Sequence, residues 1–260
     1  MDKKLNNSDL KLLRERLKVE WTYTSNAIEG NTISLGDTAF IIEHGLTIKG
    51  KSVAEHTEII GHAKAVDLIY DLVKKESIDK EDLFLLHKAV QANLVVDIEC
   101  PIGAYKVVAN ARYIRIDGKL EHRYYPQPEH TKHLMELWFD QFEDISKPID
   151  NFDACVNAYT DMHVTFTSIH PFFDGNGRLA RLISNIPLIK NGYLPIIISN
   201  KQRQEYIQLL SNYNLTAKTL DGSSSQLIEK NEEYQKVRAF FAAQYANAQE
   251  LLDEIKRNKQ

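Results

Sequence analysis

Apolar residues recur at helical spacing along almost the whole of this 260-residue chain, and only the stretch between Pro101 and Pro128 departs from it. Leu10, Leu13, Leu17, Trp21 and Ile28 fall near one face of a first helix, which Ser8 can cap and which stops at Glu29-Gly30. Further helices are expected over roughly Asp37 to His44, from Ser52 through Leu68, and from about Asp79 through Val90. In the exceptional stretch, Val107-Val108 and Tyr113-Ile114-Arg115-Ile116 are β-type residues, and Asp117-Gly118 is a hairpin turn signal. Helical spacing returns from Gln127 to Phe142, Asp150 to Ile169, Gly177 through Ile189 to a stop at Gly192, and Arg203 to Tyr213. Leu194 to Ser199 reads as a strand or an extended connector. Leu220 to Ser225 reads as a linker or helix start. Beyond it, Tyr234, Val237, Phe241, Tyr245, Ala248, Leu252 and Ile255 form a helical stripe expected to pack on its own domain. The fold class is mostly α, a helical bundle with one small β-hairpin.

Composition narrows the function classes. Hydrophobic residues at 43% can bury a core and exclude wholesale disorder. A formal net charge of −4 supplies no basic field for nucleic acid or an anionic membrane, so neither is expected as a partner. Cys100 and Cys155 do not make a disulfide framework, and a reducing cytoplasm is the simplest setting. The first ten residues lack the apolar core of a signal peptide, and no apolar run approaches the roughly 18 residues of a membrane span.

Gly45-Leu46-Thr47-Ile48-Lys49-Gly50-Lys51-Ser52 satisfies the phosphate-loop spacing, but that loop needs a buried strand before it, and Asp37 to His44 is helical in pattern. A connection between helices explains both glycines. The string His170-Pro171-Phe172-Phe173-Asp174-Gly175-Asn176-Gly177-Arg178-Leu179-Ala180-Arg181 is more informative. Pro171 forces a helix to end, so the His170 ring can project into a cleft and take a proton near neutral pH. Gly175, Asn176 and Gly177 free the backbone to bring N–H groups to an anion at a helix N-terminus. Asp174 beside such a seat suggests an intervening Mg²⁺. Arg178 and Arg181, three residues apart, can share a side and clamp a polyphosphate. A capped helix–loop–helix turn with surface arginines explains any of these residues singly, but not all of them at this spacing.

This string resembles the Fic-family signature, His-Pro-Phe-x-Asp-Gly-Asn-Gly-Arg-x-x-Arg, at every defined position. Gly103-Ala104-Tyr105-Lys106 with the hairpin through Pro126, and Asn191-Gly192-Tyr193-Leu194-Pro195, resemble further family segments, so the likeness runs from about residue 20 to 215. It implies transfer of AMP from ATP to a Ser, Thr or Tyr hydroxyl of a target protein, and self-modification. His170 would be the base and Asp174 the Mg²⁺ ligand. Gly175 to Gly177, with the Asn176 side chain, would cradle phosphate oxygens, Arg178 would face the β-phosphate and Arg181 the γ-phosphate. Tyr206 and Asn214 match adenine-pocket positions, whereas Ile207 replaces a second Tyr of some relatives. The segments would be an N-terminal helical part over 1–50, a catalytic core over 51–222 and a C-terminal helix over 223–260. A homodimer is one assembly open to it.

Ser25-Asn26-Ala27-Ile28-Glu29-Gly30 resembles the inhibitory-helix motif of members that carry it before the core. A carboxylate at the negative end of a helix calls for a basic partner or for solvent. By resemblance Glu29 would pair with Arg181 and obstruct the γ-phosphate, with Ser25 placing the helix. The same Glu could instead position water for AMP removal. Arg112, Tyr113 and Ile114 lie in the expected flap, whose edge would receive a target segment as an added strand; an ordinary hairpin is the competing reading. Gly177 leaves room that kinase-like relatives fill with a larger basic residue. A non-enzymatic helical regulator is the rival of another class, though the intact signature argues against it. His56, His62, His130 and His133 form no convincing metal set and are expected to pack or face solvent.

Overall fold

A computed structural model describes residues 6–91, 97–116, 119–143, 149 and 151–258. It is mostly helical with one two-stranded antiparallel hairpin, as the periodicity predicts. Helix α1 (Asn7–Ile28) begins two residues earlier than a cap at Ser8 would allow. Asn6 caps it, because its side chain and that of Asp9 bond each other's backbone N–H groups. Helices α2 (Leu35–His44), α3 (Val53–Leu72) and α4 (Lys80–Val90) are capped by Ser34, Ser52 and Asp79. Ser52 is therefore a cap bonded to Glu55, and Lys51 Nζ reaches Thr32, so the phosphate-loop lookalike is a connection between α2 and α3.

Strands β1 (Ala111–Ile116) and β2 (Lys119–Tyr124) pair with Arg112 opposite Arg123 and Tyr113 opposite His122. The expected Asp117-Gly118 turn lies outside the described residues. Val107-Val108, though β-type, is not in the sheet. That segment is drawn off instead by the signature loop, since Lys106 N–H bonds Pro171 O at 2.9 Å. Helix α5 (Pro128–Phe142) follows, then α6 (Phe152–Ile169), capped by Asn151; Asp150, where the pattern placed its start, lies outside the described residues.

The single helix expected from Gly177 to Gly192 is two: α7 (Asn176–Ile183) and α8 (Ile186–Lys190). Pro187 removes a donor from the ladder and restarts the helix. The break frees Asn185, which accepts from Ile196 N–H at 2.7 Å and donates to Ile196 O at 3.0 Å. That bond pair holds Leu194 to Ser199 as an extended connector. Helix α9 (Arg203–Thr216) and α10 (Glu232–Arg257) complete the chain, and the run at 220–225 is a packed turn with Leu220 and Ser224 buried.

Helix α6 is buried on both sides, which is why its apolar residues wrap around it rather than forming one stripe. Met162, Phe166 and Ile169 join Trp21 of α1, Val66 of α3, Leu86 of α4 and Leu134 of α5 in one core. Cys155, Tyr159 and Val164 join Tyr206 and Tyr213 of α9 and Tyr234, Val237 and Phe241 of α10 in another. The C-terminal helix thus packs back on the body. A helix clamped on two faces gives its C-terminal end a defined place, and His170 is the next residue.

Candidate active site

His170 caps α6 at φ 52° and ψ 59°, the only non-glycine residue with positive φ among the described residues. A side chain in that left-handed conformation is strained, and such strain is kept where a site over-determines it. The ring lies flat on Tyr125, with centroids 3.7 Å apart and planes 8° from parallel. Its Nδ1 faces the Thr167 carbonyl at 3.3 Å, which can only accept, so Nδ1 carries the hydrogen and Nε2 keeps its lone pair. Burial first, then the Lys106 and Arg112 charges, push its pKa down to about 3. The imidazole is therefore neutral at physiological pH, with the Nε2 lone pair unprotonated, and burial rather than solvent sets how readily it takes up a proton.

The loop after it is braced by side chains. Asn176 Oδ1 accepts from Phe172 N–H at 3.0 Å and its Nδ2 donates to Phe172 O at 2.8 Å. The Asn176 carboxamide, expected among the phosphate ligands, is therefore engaged in shaping the loop. His87 of α4 stacks on Phe172 with centroids 3.9 Å apart. Its Nδ1 accepts from Gly103 N–H at 2.9 Å, so Nε2–H donates to Asp174 O at 3.2 Å. Gly175, at φ 81°, has no room for a Cβ, which would meet Gln91 Nε2 at 2.8 Å. Desolvation works against a charged Asp174, but bonds from Gln91 and the Gly175 N–H, with Arg178, hold its pKa below the usual carboxylate value.

Helix α7 then presents the N–H groups of its first turn, which have no acceptor within the helix. They face a cavity of about 290 Å³ whose walls include His170, Asp174, Gly175, Asn176, Gly177 and Arg181. Tyr113, Ile207 and Asn214 line it too. Arg178 does not join these walls. It lies 3.6 Å from Asp174 and 3.8 Å from Glu58, so the two signature arginines diverge where the spacing suggested a shared clamp. Tyr206, expected at the adenine, lines the same cavity but is largely buried, with its hydroxyl between Arg181 Nη1 at 3.4 Å and His163 Nε2 at 3.1 Å. It sits under the arginine and positions it. Asn214 accepts from Ser168 Oγ at 3.0 Å on the cavity wall.

Arg181 is the junction with α1. Its Nε donates to Ser25 Oγ at 3.0 Å, and Nη2 donates to Ser25 O at 3.0 Å and to Glu29 Oε1 at 2.6 Å. The basic partner that the helix end requires is doubled, since Arg203 Nε donates to Ile28 O at 2.5 Å. A Cβ on Gly177 would stand 2.8 Å from Glu29 Oε1, so the carboxylate lies directly over the first turn of α7. Arg112 and Tyr113 of the hairpin reach the cavity; the Ile114 side chain lies outside the described residues, and its backbone pairs with Glu121.

Sequence reading missed Tyr125, Lys106, Gln91 and His87. Lys106 is buried, with Nζ on Asn110 Oδ1 at 2.8 Å, and burial pushes its pKa down to about 8. Nothing in spacing marks a lysine that folds inward. His56 Nε2 accepts from Ile48 N–H and His133 Nε2 meets Ser224 O, so both serve packing, and no metal-binding cluster occurs among the described residues. No helix among those residues is long and apolar enough to cross a membrane.

Four histidines, His62, His87, His163 and His170, have pKa values lowered chiefly by burial, His87 to about 4 and His170 to about 3. Each binds its proton less readily folded than unfolded, where the value is 6.5. Their contribution to stability is therefore full above about pH 6.5 and is lost as pH falls below it. Thermal melting is expected to drop steadily from pH 6.5 to 5, before carboxylates titrate. A melting temperature flat across that window would contradict the neutral buried imidazoles.

A model of the Fic/DOC family matches residues 77–188. Protein adenylyltransferase fic-1 of Caenorhabditis elegans is 34% identical over 200 residues, which cover 75% of this chain and 36% of that protein. Protein adenylyltransferase Fic of Nematostella vectensis is 32% identical over 198 residues, covering 74% of this chain and 42% of that protein. The chain thus spans less than half the length of these curated relatives. Among solved structures, a Fic-domain-containing signaling protein from Bacteroides thetaiotaomicron superposes with a TM-score of 0.78 at 25% identity, covering 97% of this chain and 92% of the other. A fragment of Caenorhabditis elegans Fic-1 gives 0.73 at 25% identity, covering 99% and 69%. Residues 77–188, which hold the signature loop, thus form a domain of the Fic/DOC family, set in a helical fold shared over nearly the whole chain.

Proposed function

We propose that this chain transfers AMP from ATP to a hydroxyl side chain of a target protein, and of itself, releasing pyrophosphate. The observation that carries the reading is one cavity walled by an imidazole with a free Nε2 and by the N-terminus of α7 with Arg181. His170 Nε2 takes the proton of the attacking hydroxyl. The bond from that oxygen to the α-phosphorus forms as the bond to the α,β-bridging oxygen breaks, and the electron pair leaves with pyrophosphate. Little covalent chemistry falls to the protein, which acts by positioning and by stabilising charge. The α7 backbone and Arg181 hold phosphate oxygens, and Arg178 steadies Asp174. The exposed face of α9 at Ile207 and Asn214 lies beside the seat and suits the base.

Asp174 fits a magnesium ion that arrives with the nucleotide, since its carboxylate is held anionic at the cavity wall and such ions take one or two carboxylates plus phosphates and water. When bound, that ion neutralises charge on the phosphates. ATP labelled at the α-phosphate is expected to label the protein, and ATP labelled at the γ-phosphate is not. Labelling from the γ-phosphate would mean phosphate transfer and would refute the reading.

Glu29 is the brake in this reading. Its carboxylate takes the partners a terminal phosphate needs, Arg181 and the space above Gly177. Two anions do not share that seat. The flap has the complementary task of holding the target as an added strand. Tyr113→Pro removes an N–H from the hairpin, and transfer to a protein substrate is expected to fall at least tenfold. Undiminished transfer to the target would mean that the segment docks elsewhere.

A further inference from the structure

A smaller pocket adjoins the reaction cavity and shares Arg112, Tyr125 and Asn214 with it. Arg112 and Arg123 enter it from the hairpin and Lys218 from the segment after α9, and no carboxylate lines it among the described residues. Arg112 and Arg123 are directly opposed across the strands, so both side chains leave the same face. The Arg112 guanidinium lies 4.9 Å from the centre of the Tyr125 ring, which fixes its direction. Its Nε is buried without a hydrogen-bond partner. A buried donor left without an acceptor in a native fold calls for an explanation, and a ligand that brings an anionic oxygen is one.

Size selects among anions. The pocket measures about 130 Å³ against about 290 Å³ for the reaction cavity. Small-molecule sites begin at roughly 300 Å³, so a nucleotide does not fit, whereas a side-chain carboxylate does. The wall also carries Tyr124, Pro126, Leu215 and Leu227, apolar groups suited to the stem of a residue within a polypeptide. We propose that this pocket binds an acidic side chain of the target segment, close to the hydroxyl that is modified. The substrate so described rests on the AMP-transfer reading; the binding itself does not.

Fluorescence anisotropy on the full chain tests it directly. The probes are a labelled serine-containing peptide with glutamates on both sides and the same peptide with glutamines. The glutamate peptide is expected to bind at least tenfold more tightly, with an advantage that shrinks as salt is added. Arg123→Gln with Lys218→Gln should remove the advantage without lowering the melting temperature. Arg123→Glu with Lys218→Glu should shift the preference to a lysine peptide. Equal affinity for the two peptides overturns the site. So does binding confined to inorganic phosphate or to a phosphoserine peptide. In the Glu29→Gly protein with α-labelled ATP, faster labelling of the glutamate peptide supports both readings. Acidic preference in binding with no AMP transfer sinks the proposed reaction and leaves the pocket standing; transfer indifferent to acid sinks the pocket alone.

Discussion

Glu29→Gly is expected to raise AMP incorporation by about 30- to 150-fold, read as label from α-labelled ATP and as an AMP adduct by mass. The factor corresponds to removing an obstruction worth about 2–3 kcal/mol, at about 1.4 kcal/mol per tenfold. The geometry behind it is a charged contact of 2.6 Å onto an arginine only 3% exposed. The expected structural cost is small. Glu29 is 43% exposed, so water can replace it, and Arg181 keeps Ser25 and Tyr206. A loss of about 1 kcal/mol in stability is expected, in the range of partly exposed ion pairs. If labelling does not rise in this variant, with either a protein substrate or the chain itself as acceptor, Glu29 is not the brake.

His170→Ala in the Glu29→Gly background is expected to lower transfer by about 10²–10⁴-fold, the usual contribution of a positioned base. ATP affinity should hold, because α7 and Arg181, the groups proposed to take the phosphates, are left in place. A second readout separates this role from a folding defect. Removing an imidazole whose pKa is pushed to about 3 takes away one source of acid sensitivity, so the variant should lose less stability between pH 6.5 and 5 than its parent. Transfer at the parental rate would displace His170 from the chemistry, and a joint loss of ATP binding would make it a structural residue.

The signature string was legible because its physics is local. Pro171 ends a helix, Gly175 permits a positive φ, and the first turn of α7 bares its N–H groups wherever the helix sits. The helices were legible for the same reason, since caps such as Ser52 and Asp79 act within three residues. One misreading is a place where distant contact overruled local preference: Val107-Val108 has β-type side chains but follows Lys106 onto Pro171. The other is local, since Asn6 rather than Ser8 begins α1 because Asp9, three residues on, completes its capping box.

The role of Glu29 illustrates the division. From spacing alone it is a carboxylate at a helix end, equally suited to solvent; only the packing of α1 against α3 and α7 delivers it to Arg181, 152 positions along the chain. Arg178 and Arg181 show the converse, because i, i+3 spacing placed them together and their partners pulled them apart: Glu58 and Asp174 for one, Ser25, Glu29 and Tyr206 for the other. By itself the sequence determined the helices, the break at His170 and the kinds of group around it, all of which follow from torsion angles and neighbours a few residues away. Tertiary structure alone decided which arginine faces the cavity, what fixes the His170 tautomer and which carboxylate lies over the first turn of α7, because burial and hydrogen-bond partners exist only once distant segments meet.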